Sequence, residues 1–181
     1  MRSHVKHSVP VGAPRAHAGE RAREAGLLAE LEALYARLDA VFAGSSCPAS
    51  TECCRPGLFG REPYVTSLEL ALVRRAIARR GGALAAARRA LPLVAVGVAV
   101  AAPDQGRICA LLDRDGRCSV YAARPFGCRS FFCDRASHER RVPHRELQAL
   151  VRELAALAQR FDPSGAVGRP LSRALDGPRR G

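Results

Sequence analysis

Cys47, Cys53 and Cys54, followed by Cys109, Cys118, Cys128 and Cys133, are the residues whose type and spacing speak most directly of chemistry. Thiolates are soft ligands, and tetrahedral zinc or a four-iron cluster takes four of them. The second group, Cys109-x8-Cys118-x9-Cys128-x4-Cys133, supplies a complete four-thiolate set by itself. The first, Cys47-x5-Cys53-Cys54, supplies three and leaves a fourth position for His138 or His144, a carboxylate or an exogenous ligand. Neither spacing is the doubled Cys-x2-Cys of a zinc ribbon. Neighbouring side chains of an extended segment point to opposite faces, so Cys53 and Cys54 serve two metals more easily than one, or bind one and cross toward the second group. Inert packing explains a single buried cysteine, but not all seven in two tight groups.

A zinc ion held by four thiolates carries a formal charge of about −2, and burying that charge requires compensating donors. Arg124 and Arg129, beside Cys128, are placed to provide them. His4, His7 and His17 lie in an aperiodic N-terminal stretch and are poor ligand candidates.

The segments Cys109-Ala-Leu-Leu, Cys118-Ser-Val-Tyr121 and Arg124-Pro125-Phe126-Gly127-Cys128-Arg129-Ser130-Phe131-Phe132-Cys133 resemble the signature of the YkgJ-type cysteine cluster family of zinc- or iron-chelating domains. Cys47, Cys53 and Cys54 fit that family's Cys-x2-Cys-x2-Cys-Cys element, with Ser50 standing where the second cysteine is expected. The resemblance spans residues 47–133 and places Tyr121, with Arg124 and Arg129, around the site. It implies a metal-chelating domain holding Zn2+ or Fe, the latter as a [4Fe-4S] cluster in one reading. Some relatives are similar to flagellin lysine methylases, which makes an iron–sulfur protein-modifying enzyme the alternative function. Eight thiols would allow two closed, structural four-ligand sites; Ser50 in the slot leaves one site open, with serine as an extra ligand or a vestige. The modest reading is a chiefly structural metal with no assigned reaction.

These residues need a scaffold, and the apolar pattern predicts a helical one. Leu27, Leu28, Leu31, Leu34, Leu38 and Val41 form one face of a helix from Glu20 to Phe42. Thr66 and Glu69 form a capping box opening a second helix that carries Leu68, Leu70, Leu72, Val73 and Ile77 and stops at Gly81 and Gly82. Ala83 to Leu91 reads as a third helical piece, and His144 to Phe161 carries another stripe, Leu147, Leu150, Val151, Leu154, Leu157 and Ala158. Arg107–Leu112 and Arg117–Tyr121, around Asp113-Arg114-Asp115-Gly116, predict a β-hairpin with Cys109 and Cys118 on facing strands. The expected fold is therefore mainly α with a small β-hairpin, its irregular metal-bound cysteine loops lying on a helical scaffold. Residues 20–161 form the single domain, flanked by disordered tails at 1–19 and 162–181.

Composition narrows the function classes. At 181 residues and 48% hydrophobic content the chain can bury a core without disulfides. The net charge of +12 would suit nucleic acid, but Lys6 is the only lysine, the arginines are dispersed, and the chain has no Trp, three Tyr and six Phe for base stacking. A zinc-dependent nucleic-acid module is therefore only a second alternative. The uncharged run from Leu91 to Ala102 is shorter than the ~20 residues of a membrane-spanning helix, and no apolar segment follows the basic N-terminal residues. No membrane partner and no signal peptide are expected. A cytoplasmic location is expected, and a reducing cytoplasm and an odd number of cysteines favour metal or redox chemistry over disulfides; the partner expected is the metal ion, and no particular protein partner is indicated.

Overall fold

Apolar side chains recurring every third or fourth position bury one face of the longest element, helix α1 (Pro14–Val41), where Leu27, Leu28, Leu31, Leu34, Tyr35 and Leu38 are all buried. The computed structural model describes residues 14–43, 54–56, 62–81, 108–113, 115–130 and 144–176. Strand β1 (Tyr64–Val65) follows α1 in the element order, then α2 (Ser67–Arg79), α3 (His144–Phe161), strand β2 (Arg169–Pro170) and the short α4 (Leu171–Asp176). The described residues are mostly helical, with one small two-stranded antiparallel sheet among them.

Helix α3 spans the interval its leucine stripe predicts, and Leu150, Leu154, Leu157 and Ala158 are buried. Val151 of that stripe is 48% exposed, because it lies beside the contact face rather than within it. Helices α1 and α3 run antiparallel, since Arg160 pairs with Glu30 while Arg37 pairs with Glu153 further along α1. Both Arg160 bonds to Glu30 are short, 2.7 and 2.9 Å, and Arg23 Nη2 donates to the Arg160 carbonyl at 2.5 Å. Exposed pairs of this kind contribute little stability, and their role is to fix register. The Glu30 carboxyl is held below its ordinary value by the hydrogen bonds from Arg160.

Helix α2 packs against both α1 and α3 through Leu68, Leu72, Val73 and Ile77. Its start is the predicted capping box: Thr66 Oγ1 accepts from the Glu69 N–H, and the Glu69 carboxylate accepts from the Thr66 N–H. Gly81, at φ 97°, takes the left-handed conformation that ends the helix.

Three expectations are corrected by the fold. The N-terminal tail does not extend to residue 19, because α1 begins at Pro14; proline's fixed φ suits a first helical turn, and the Ala, Arg and Glu residues that follow are adequate helix formers. The C-terminal tail does not begin at residue 162 either. Asp162 accepts from the Ser164 N–H to open a 3-10 turn (Pro163–Gly165), β2 pairs with β1 in the register Tyr64↔Pro170 and Val65↔Arg169, and α4 buries Leu171 and Ala174. Leu171 N–H donates to the Pro63 carbonyl at 2.9 Å, which ties this segment to the start of β1.

The third correction concerns the hairpin. The sheet lies between β1 and β2, while among the described residues of the expected arms, 108–113 and 115–121, the pairing is the isolated bridge of Leu112 opposite Cys118. Asp113 N–H donates to the Arg117 carbonyl at 2.8 Å and Ser119 N–H to the Leu111 carbonyl at 2.7 Å, so the turn itself forms. The first arm is not extended, because the Cys109 carbonyl accepts from the Leu112 N–H within a turn of its own. The second arm closes into a 3-10 turn at Tyr121–Ala123. The predicted helical piece at Ala83–Leu91 and the uncharged run Leu91–Ala102 lie outside the described residues. Among the described residues no helix is long and apolar enough to cross a membrane.

Candidate metal centre

The turn between Cys109 and Cys118 is built by short-range chemistry. The Asp113 carboxylate accepts from the N–H groups of Asp115 and Arg117, at 3.1 and 2.7 Å, and Gly116 takes φ 71°, a conformation open to glycine with little cost. Leu111, Val120 and Ala123 on either side are buried in the core, which anchors the loop to the helices. Cys128 sits on the helical turn 126–130, whose Cys128 and Arg129 N–H groups both donate to the Pro125 carbonyl. Cys54 comes from the segment upstream of β1, and its carbonyl accepts from the Cys109 N–H at 2.8 Å.

Four thiols from three separate segments are thereby gathered. None of Cys54, Cys109, Cys118 and Cys128 is in a disulfide. Burial pushes the Cys109 thiol up from 9.0 to about 12, and the neighbouring Cys54 and Cys118 push it in the same direction. Burial also raises Cys118, with a further contribution from Cys54. Cys128 is raised well above the ordinary thiol value, first by burial and then by Cys109, Cys118 and Cys54. Each sulfur therefore lies within electrostatic reach of the others, and thiols in such a place are protonated at neutral pH unless a cation joins them. Among the described residues no group of three or more His, Cys, Asp or Glu side chains stands arranged to hold a metal ion. Cys47, Ser50, Cys53, Cys133 and His138 lie outside the described residues.

Arg124 acts electrostatically on two of these thiols. Its charge favours the ionised forms of Cys118 and Cys128, and its guanidinium lies 3.5 Å from the centroid of the half-exposed Tyr121 ring. Arg129 is used differently from the expectation that paired it with thiolates. It is 7% exposed, donates through Nη1 to Asp39 at 2.5 Å and through Nε to the Arg124 carbonyl at 2.9 Å, also bonds the Ala122 carbonyl, and lies over the Tyr35 ring. It clamps the Cys128 turn to α1. His144 is the exposed first residue of α3.

Two residues important to this frame were not legible as such in the sequence. Tyr35 is buried within the leucine stripe of α1, and Glu69, 2% exposed, lies between the buried Leu68 and Leu70. A charged side chain inside an apolar run is the signal that could have marked Glu69 as more than a cap. Arg80 adds a further tie, donating from the end of α2 to the Ser119 carbonyl. Comparison of the chain with family models, curated proteins and solved structures gives no match.

Proposed function

We propose that this protein is a metal-binding cysteine cluster domain of the YkgJ kind, in which zinc or iron serves chiefly to hold the cysteine segments on the helical frame. The observation that carries this reading is the convergence of Cys54, Cys109, Cys118 and Cys128 from three segments of the chain. Thiols brought together from separate segments are soft donors, and their chemistry suits a soft cation. Because these four thiols do not stand arranged around an ion in this structure, they would have to draw closer together to hold the metal, with Cys47, Cys53 and Cys133 as the further thiol ligands of the sequence. A bound ion would supply a cross-link between the segments and neutralise thiolate charge. Arg124 would offset the negative charge left over, and the Asp113 turn and the Arg129 clamp would keep the loops in place. An odd number of cysteines suited to metal chemistry goes with a reducing compartment such as the cytoplasm.

Chelation tests the structural role. Removal of metal from the purified full chain is expected to lower its thermal midpoint and to restore it on addition of zinc or ferrous iron. Visible absorption of anaerobically prepared protein distinguishes the two metals, a colourless sample indicating zinc and a brown one that bleaches on reduction indicating an iron–sulfur cluster. A thermal midpoint indifferent to chelator and to added metal would count against the reading.

A further inference from the structure

A capping box needs one oxygen of its N3 carboxylate, and Glu69 has a second. Oε2 does the capping, accepting from Thr66 N–H at 2.8 Å and from Thr66 Oγ1 at 2.9 Å. Oε1 reaches away from α2: it accepts from the Tyr35 hydroxyl at 3.0 Å and from the Phe126 N–H at 2.8 Å. Phe126 opens the helical turn 126–130, so its N–H is one of the donors that a helical turn leaves unsatisfied at its start. Two residues later comes Cys128. On the far side of Cys128, Arg129 returns to the same place by lying 4.3 Å from the centroid of the Tyr35 ring. Glu69, Tyr35, Arg129 and Phe126 thus form a closed ring of contacts around the backbone that carries Cys128.

We infer that Glu69 is a positioning residue for the thiol site: by joining the Phe126 N–H and the Tyr35 hydroxyl to the cap of α2, it sets Cys128 in place among Cys54, Cys109 and Cys118. Its consequence for metal binding rests on the proposed function; its consequence for the thiol does not. Glutamine in its place keeps the shape but presents an NH2 to one of two backbone N–H groups, that of Thr66 or that of Phe126, and one of them loses its acceptor. A side chain that only capped α2 would be equivalent in this respect to Thr66.

Site-resolved alkylation, read by mass spectrometry on the folded, metal-free full chain, separates the two roles. Glu69→Gln is expected to raise the labelling rate of Cys128 about tenfold, as loss of a hydrogen bond to a charged group would, while Cys109 stays within about twofold. Thr66→Val, which weakens the cap but keeps the carboxylate, and Leu154→Ala, which loosens the core, are expected to lower the thermal midpoint without favouring Cys128. Zinc affinity in Glu69→Gln is expected to fall about tenfold with it. Equal labelling of Cys128 in wild type and Glu69→Gln, or an equal rise in all three variants, would overturn the inference. If wild type binds no zinc, the metal reading fails while the labelling ratio still decides the role of Glu69. Should Glu69→Gln not fold, Glu69→Asp, which keeps the charge with a shorter reach, is read by the same ratio.

Discussion

Burial raises the thiols of Cys109, Cys118 and Cys128 and the phenol of Tyr35, and the sign of that effect fixes how the metal-free protein responds to alkali. For Cys109 the unfolded chain gives up its proton near 9.0, whereas the folded chain keeps it to about 12. Between those values the unfolded state binds fewer protons than the native one, so stability is full below the lower value and falls as pH rises through the window. Urea midpoints of the metal-free chain are expected to stay level from neutrality to about pH 9 and then decline, with a shallower decline in Cys109→Ala. A second residue-scale expectation concerns Arg129. Its removal strips Asp39, two carbonyls and the Tyr35 face of a partner, so Arg129→Ala should cost about 2 to 3 kcal/mol by denaturant titration. Arg129→Lys should recover less than half, since an ammonium cannot reproduce the planar fork. The sequence brought Arg129 forward for its position next to Cys128, but its partner Asp39 is 90 residues away and no local pattern announces that pairing.

Elements with a long apolar period were readable in the sequence itself. Helix α3 matches its predicted interval because repeated leucines at helical spacing specify a face as well as a length, and α2 is announced by Thr66 and Glu69. The sheet had no such signal. Its strands are two residues each and lie about a hundred residues apart, so their pairing comes from tertiary packing and not from alternation. Likewise only Leu171 and Ala174 mark α4 as a packed element. Glycines test the packing between elements. A Cβ on Gly165 would stand 2.5 Å from Ser67 Cβ and Oγ, where the 3-10 turn sits on the start of α2. Gly165→Ala should therefore destabilise by about 1 to 3 kcal/mol. Gly26 in α1 has nothing within 4 Å of its would-be Cβ, and Gly26→Ala should stabilise by about 0.5 to 1 kcal/mol. Thermal unfolding of the two variants checks both signs.

At the scale of the whole molecule, the four described cysteines draw on both sequence groups, Cys54 on the first and Cys109, Cys118 and Cys128 on the second. The count of thiols and the Arg-Pro-x-x-Cys-Arg context were legible in the chain, whereas the union of Cys54 with Cys109, Cys118 and Cys128 depends on a backbone bond between residues 54 and 109 and on helices that bring three segments together. Spacing alone divided the cysteines after Cys54; folding joins Cys54 to the second group. The core of α1, α2 and α3 is thus the platform, and the cysteine loops are anchored to it through Leu111, Val120, Ala123 and Phe126. Metal analysis of the full chain purified without oxygen, combined with titration of its thiols before and after chelation, tests this account most directly. The expected result is stoichiometric zinc or iron, with Cys54, Cys109, Cys118 and Cys128 protected until the metal is removed. A folded protein that carries neither metal nor cluster, and in which all seven thiols titrate freely, would contradict it.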